Sequence, residues 1–485
     1  MKILNILKNE FFWVFLLLIL GFFLRIWHIE DPIADWHSWR QADTAAVTRN
    51  FVKQGFNPFF PKYDDMSHVS ELPITNPLGF RFVEFPVYNI AVYPLYLLFG
   101  IDDKYHRLVS VLFNLASVVL LYLIVKKYWG GLTAFFSAFI FTVLPFNVFF
   151  SRTALPEPTF VFFALGMIYF VSNWLEKKSN LFYALSFAGV AFLIKPWAFF
   201  FYIPLCYTAI REKKVIRFLI FSIVILVPFI LWRLWILQQP EGIPASSWLM
   251  NGDNIRFRPS FWWWLISERI GGQILTVTGI VFFVLGLIIK PQNGNYFFHL
   301  WLLSTFLYFI VFATGNVRHN YYQFLFVPIA SVFFAVGLLN LLKGRDIFLP
   351  RIFTILTALA LLILTLFFGF KDVREFYKIN NFPIVEAGRM VDKLAPKDAI
   401  VLAPYNGDTA FLYHTNRAGW AYVPSSIKDM IADYGINYYV STTNDKTTAW
   451  VLRHFQSVEE NPRFYIVDLT KLKKDFDDKL DPEPR

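Results

Sequence analysis

Four short stretches set acids, bases and aromatic rings beside long apolar runs. The first, Asp35-Trp36-His37-Ser38-Trp39-Arg40-Gln41-Ala42-Asp43, continues to Arg49 with helical spacing. Trp36, Arg40, Asp43 and Val47 share one face at i, i+4, i+7 and i+11. The second is Glu84-Phe85-Pro86, with Arg107 at the start of the next apolar run. The third is Ser151-Arg152 followed by Pro156-Glu157-Pro158. The fourth pairs Lys195-Pro196-Trp197 with Arg318-His319-Asn320-Tyr321-Tyr322-Gln323. Cations at headgroup level suit a lipid phosphate. Carboxylates beside them suit proton abstraction from a hydroxyl. Together they imply glycosyl transfer from a lipid-phosphate sugar.

Each residue also has a plainer reading. Arg40 and Asp43 suit an ion pair on a surface helix, and Asp35 and Glu84 suit helix N-terminal capping. Glu157 complements a helix N-terminus, and Arg107 suits snorkelling to the interface. Tyr321 and Tyr322 suit an aromatic belt, which leaves Arg318, His319 and Gln323 unexplained. Lys195 lies away from every other lysine cluster, so its position at membrane depth suggests an anionic partner.

The elements that hold these residues follow from composition. Of 485 residues 56% are hydrophobic and 16% charged, well below the roughly 25% charge of soluble domains. About eleven apolar segments are long enough to suggest spans: 11–27, 106–125, 130–150, 158–174, 180–194, 196–210, 216–236, 271–289, 296–314, 322–342 and 350–370. The net charge of +10 comes from short basic clusters between these segments, which reads as topology and not as nucleic-acid binding. Lys126-Lys127, Lys177-Lys178, Arg211 with Lys213-Lys214, Lys290, and Lys343 with Arg345 share one side when the spans alternate, as do Lys2 and Lys8. The positive-inside rule makes that side the cytoplasm. The expected fold is a polytopic α-helical membrane protein. Residues 1–370 form its membrane domain, with an outer first loop at 28–105. Pro86–Gly100 within that loop reads as an interfacial or re-entrant helix.

Residues 371–485 change to mixed charge and form an expected small extracytoplasmic α/β domain. Strands are expected at Ala399–Ala403, Thr409–Tyr413, Ile436–Ser441 and Phe464–Leu469, with helices at Ile384–Leu394 and Ser426–Tyr434. The single cysteine, Cys206, excludes an intrachain disulfide and a thiolate metal cluster.

The ordered set of motifs resembles the bacterial and archaeal GT-C glycosyltransferases related to protein O-mannosyltransferases and aminoarabinose transferases. It comprises His37 to Phe51 with Trp39 and Gln41, Glu84-Phe85-Pro86, Arg107, Arg152 with Glu157, Lys195-Pro196, and His319 to Gln323. The resemblance spans roughly residues 10–345. It implies a polyprenyl-phosphate-linked monosaccharide donor, an inverting displacement at the outer face, and a catalytic acid in the first loop. Many relatives carry an Asp-Glu pair there, where this chain has Arg40-Gln41 with Asp43 three positions on. A lysine found in aminoarabinose transferases is replaced by Phe85. The expected base is therefore one of the first-loop carboxylates, Asp43 ahead of Asp35, with Glu84 and Glu157 in reserve. The phosphate ligands are drawn from Arg40, Arg107, Arg152, Lys195, Arg318, His319, Tyr321, Tyr322 and Gln323. No cofactor is required; a divalent metal at His37 or His68 is the alternative. The acceptor is a hydroxyl of a glycan, lipid or protein. The rival class is a transporter or flippase of a lipid-linked sugar, for which repeats and charge spread through the membrane are expected.

Overall fold

The structure, a computed structural model, describes residues 10–291, 294–343 and 350–473. Lys2, Lys8 and Arg345, which entered the topology argument, lie outside these residues. The chain forms two compact units, each assembled from separate segments. One contains the chain up to Ile29, Arg107–Trp235 and Ser246–Tyr377. The other contains Glu30–His106, Ile236–Ala245 and the chain from Lys378. The loop expected at 28–105 and the domain expected from 371 thus contribute to one compact body.

In the first unit, each expected apolar segment contains a helix. Among the described residues, five helical stretches are long and apolar enough to cross a membrane: Asp103–Val143, Glu157–Leu175, Val215–Ile236, Asn320–Lys343 and Arg351–Tyr377. The first of these is two helices joined at Gly130, whose φ of 80° is open to glycine and strained for other residues. A further candidate, Pro259–Ile274 with Thr276–Ile288, is bent by 106°. Leu181–Ile194 and Phe297–Val311 are shorter. At the end of Leu181–Ile194, Pro196 forces Lys195 into extended backbone (φ −148°, ψ 135°), which divides this apolar region into short pieces.

Thr276–Ile288 and Val327–Lys343 pack backbone against backbone. A Cβ on Gly286 would lie 1.8 Å from the Phe333 carbonyl oxygen, and one on Gly337 would lie 1.9 Å from that of Phe282. Small residues allow such close approach in membranes, where packing replaces the hydrophobic drive. Val215–Ile236 instead turns Ile216, Ile220 and Ile223 outward, Ile216 being 76% exposed, as a lipid-facing helix does.

The second unit holds the sheet. Strands β1 (Val401–Leu402), β2 (Gly419–Trp420), β3 (Tyr438–Ser441), β4 (Phe455–Asn461) and β5 (Phe464–Leu472) are ordered β2-β1-β3-β5-β4. β1 pairs in parallel with β2 and β3, whereas β5 pairs antiparallel with β3 and β4. The first loop caps the β2 edge: Met66 N donates to Gly419 O at 2.8 Å, and Gly419 N donates to Asp64 O at 2.9 Å. An edge that would otherwise offer unpaired backbone is covered. Trp420, Met430, Tyr439, Trp450 and Val467 form the core.

The expected strand at Thr409–Tyr413 is instead a helix, Ala410–Thr415. Asp408 accepts from Ala410 N at 2.8 Å and so caps the first turn, which outweighs the β preference of Thr and Tyr. Pro383–Leu394 and Ile427–Tyr434 match the expected helices. β2, β4 and the helix Lys446–His454 were not anticipated.

Candidate active site

In the first unit, the third sequence stretch meets both halves of the fourth. Lys195, fixed by the Pro196 turn, donates to Glu157 Oε1. Glu157 opens the helix Glu157–Leu175 and is fully buried; Lys195 is 7% exposed. The Lys195 ammonium also lies 4.2 Å from the Trp197 ring centroid and 5.8 Å from that of Tyr322. Trp197 packs edge-on to Tyr322 at 4.6 Å and to Tyr308 at 5.3 Å. A desolvated cation gains from ring faces as well as from its carboxylate. The second oxygen of Glu157 is buried and has no hydrogen-bond partner among the described residues.

The tyrosines of 318–323 line this cluster from the short helix Asn320–Phe326, whose entry is the extended His319 (φ −130°, ψ 104°). Tyr321 and Tyr322 are buried in protein, so they are not belt residues facing lipid. His319 stacks on Tyr321 at 5.4 Å, Arg318 lies 4.8 Å over Trp248, and Gln323 donates to Asn316 O and Oδ1 at 2.7 and 2.9 Å. Arg152 is fully buried, donates to His28 O and covers the Tyr377 ring at 4.8 Å. Arg107 is also fully buried, which replaces the snorkelling expectation.

In the second unit, the motif helix runs Ser38–Gln54 and buries one continuous stretch from Arg40 to Phe51. Its acids and bases pair differently from the sequence expectation. Arg40 does not pair with Asp43: its Nη2 donates to both Glu84 oxygens at 2.6 and 2.9 Å. Asp43 accepts from Arg81 Nη2 at 2.6 Å and from Thr409 Oγ1 at 2.6 Å, and is 3% exposed. Asp35 is not the N-cap; His37 occupies that position at φ 58°, and Asp35 Oδ1 accepts from Gln41 Nε2 at 2.7 Å. Glu84 does not cap Val87–Phe99 either, since Pro86 holds the cap position. Trp36 lies before the helix and is 42% exposed, with its ring against His37, while Trp39 offers its carbonyl to Thr409.

Sequence reasoning missed Arg81 and Thr409. Arg81 and Thr409 lie 38 and 366 positions from Asp43, beyond any periodicity signal. Arg25 was also missed: it is fully buried in Glu10–Ile26 and donates to Ser151 Oγ, Gly21 O and Thr142 O at 2.6, 2.9 and 3.1 Å. A lone arginine in an apolar run was the available signal. Among the described residues, no group of three His, Cys, Asp or Glu could hold a metal, so His37 and His68 belong to no such group.

The described residues thus combine helices long and apolar enough to cross a membrane, buried charge at helix ends and a small mixed sheet. Residues 86–235 match the family described as dolichyl-phosphate-mannose-protein mannosyltransferase. Among solved structures, ArnT from Cupriavidus metallidurans in the apo state is similar at TM-score 0.65 and 12% identity, over 94% of this chain and 97% of that one. The same protein bound to undecaprenyl phosphate is similar at TM-score 0.61 and 12% identity, with the same coverage. The apo oligosaccharyltransferase of Archaeoglobus fulgidus is similar at TM-score 0.58 and 11% identity, over 92% of this chain and 73% of that one. At these identities the likeness is one of fold. No curated protein matches the chain by sequence.

Proposed function

We propose that the chain is an inverting glycosyltransferase that moves a monosaccharide from a polyprenyl phosphate to a hydroxyl acceptor at the outer membrane face. The observation that carries this reading is the buried Lys195–Glu157 pair against Trp197 and Tyr322. A charged pair held at a helix end is costly, and anion recognition explains its presence. The match of residues 86–235 to a mannosyltransferase family supports the same chemistry.

In the reaction, the acceptor oxygen attacks the anomeric carbon, the carbon–oxygen bond to phosphate breaks, and the polyprenyl phosphate leaves. Lys195 and Arg318, with Arg107, stabilise the leaving phosphate, the electrostatic contribution expected to be largest. The acceptor proton passes to a carboxylate, Asp43 in this proposal. Arg81 Nη2 holds Asp43 Oδ2, and the acceptor hydroxyl replaces Thr409 at Oδ1.

Orientation is part of the proposal. Lys127, Lys178 and Arg211, from three basic clusters, line one cavity of about 280 Å³ with Glu176 and Glu212. The helix from Glu157 to Leu175 has 19 residues, so it separates that cavity from Lys195 by ~28 Å, a membrane thickness. This supports a cytoplasmic basic end and an outer donor site.

The test is transfer by the purified protein from a polyprenyl-phosphate sugar, with wild type compared to Asp43→Asn. Asp43→Asn is expected to lower turnover by roughly 10²–10⁴, with donor binding little changed. Normal turnover would move the base to Asp35, Glu84 or Glu157. Movement of intact lipid-linked sugar across vesicles without any transfer product would replace the enzyme by a flippase.

A further inference from the structure

We infer that a cleft at the C-terminal end of the motif helix binds a neutral sugar unit of the acceptor, which makes the acceptor an oligosaccharide. This rests on the glycosyltransferase reading. The cleft has a volume of about 250 Å³ and is lined by Asn50, Gln54, Asn57, Lys62 and the rings of Phe51, Phe60 and Phe80. It is smaller than the usual site for a drug-sized ligand, so it suits a single compact unit.

Its chemistry fits a pyranose. A sugar ring carries hydroxyls that donate and accept around its rim, and it has apolar C–H faces. Side-chain amides offer a donor and an acceptor together, and phenylalanine rings offer flat apolar faces. Asn50 is 5% exposed and spends its amide nitrogen on Lys62 O and Asp64 Oδ1, both at 3.2 Å. That fixes its plane and leaves its oxygen without a donor among the described residues. Asn57 Oδ1 accepts from Phe59 N at 3.1 Å, which leaves its amide nitrogen to give. The Gln54 side chain makes no hydrogen bond among the described residues. No carboxylate lines the cleft, and its one cation, Lys62, lies 5.5 Å from the Phe80 centroid. The lining is therefore suited to a neutral, hydroxyl-rich ligand rather than to an ion.

Its position fits an acceptor chain. Asp43, Val47, Asn50 and Gln54 follow one another at spacings of four, three and four, so they form one stripe of the helix Ser38–Gln54. Asn50 lies ~10 Å and Gln54 ~16 Å along the axis from Asp43. The cleft floor is the paired Lys62 and Phe80, and the next residue, Arg81, holds Asp43. A glycan with its reacting hydroxyl at Asp43 would run along this stripe and seat a preceding sugar among the amides.

The test uses the full chain in dodecyl dimethylamine oxide, a detergent without sugar. The probes are the mono- to tetrasaccharides of glucose, mannose, galactose and N-acetylglucosamine, followed by saturation-transfer NMR. At least one series should bind, with tetrasaccharide signals stronger than monosaccharide ones, and the double variant Gln54→Ala/Asn57→Ala should weaken binding at least tenfold. Both residues are exposed, and circular dichroism checks that the variant folds. In the transfer assay the same variant should lower kcat/KM for long acceptors more than for short ones. Loss of binding in the variant without transfer from any polyprenyl donor would keep the cleft and sink the enzyme reading. Transfer with kcat/KM unchanged in the variant at every acceptor length would sink the cleft and keep the enzyme. Absence of binding by every series, or equal binding by variant and wild type, also overturns the inference.

Discussion

Lys195 and Glu157 lie 38 positions apart, one at the end of a short helix and the other at the start of a long one, and close a buried ion pair. The lysine thus has a partner before any phosphate arrives. In the proposed reaction a leaving phosphate would share or displace Glu157, while the ring faces of Trp197 and Tyr322 hold the ammonium.

Lys195→Met alone should destabilise the protein, because Glu157 is left charged and buried, at a cost of ~3–5 kcal/mol. Lys195→Met/Glu157→Gln should restore most of the thermal midpoint in detergent. The double variant should still bind polyprenyl phosphate more weakly, by ~1.5–3 kcal/mol, the range for a hydrogen bond to a charged group. Unchanged affinity in the double variant would return Lys195 to a structural role.

Glu84→Gln should weaken the bidentate grip on Arg40, whose side chain is nearly buried. The expected loss is ~1–3 kcal/mol of stability, with turnover falling less than for Asp43→Asn. Equal loss of turnover in the two variants would make Glu84 the better candidate for the base. Chemical denaturation and single-turnover assays on the same preparations separate the two effects.

His414 supplies a pH dependence. Burial lowers its pKa from 6.5 to about 4, and Nε2 lies 3.0 Å from Ile33 O. The folded state keeps the ring neutral while the unfolded state protonates. Its contribution is therefore present above pH 6.5 and lost as pH falls from there toward 4. The ceiling is roughly 3 kcal/mol. His414→Gln should flatten this part of the stability curve. A thermal-midpoint series between pH 4 and 8 that is parallel for variant and wild type would refute the assignment.

Gly337→Val should prevent the approach of Thr276–Ile288 to Val327–Lys343, since even a methyl would meet the Phe282 carbonyl at 1.9 Å. The helices must separate, and a loss beyond ~3 kcal/mol is expected for overpacking of this severity. Size-exclusion chromatography of a fluorescent fusion should show little monodisperse protein. A normal peak would mean that the contact is softer than the geometry implies.

Topology has its own test. A reporter active only in the cytoplasm, fused after Arg485, should stay silent. Activity there would reverse the orientation and move the donor site to the cytoplasmic face.

Much of the architecture was legible because membranes impose simple rules. Long apolar runs locate the helices, and Lys-Pro at 195–196 locates a break in one of them. Charge near membrane depth also picked out Glu157 and Lys195, and the polar run at 318–323 brought in Tyr321 and Tyr322, which the fold gathers beside them. What failed was pairing. Arg40 and Asp43 share a face and were expected to meet, yet Glu84 and Arg81 take them instead, through bonds that local spacing does not encode. The helix at Ala410–Thr415 was misread because its start depends on Asp408 and on Thr409, which bonds to Trp39 and Asp43.

The unit that holds Asp43 is sewn from three stretches of chain, the last beginning at Lys378. During synthesis, the motif helix therefore waits for more than half of the polypeptide before Thr409 and the sheet reach it. A chain stopped before Thr409 lacks one of the two bonds that hold Asp43, however well its apolar helices have inserted. On the function proposed above, activity would therefore arise only once that late segment has been made and folded onto the motif helix.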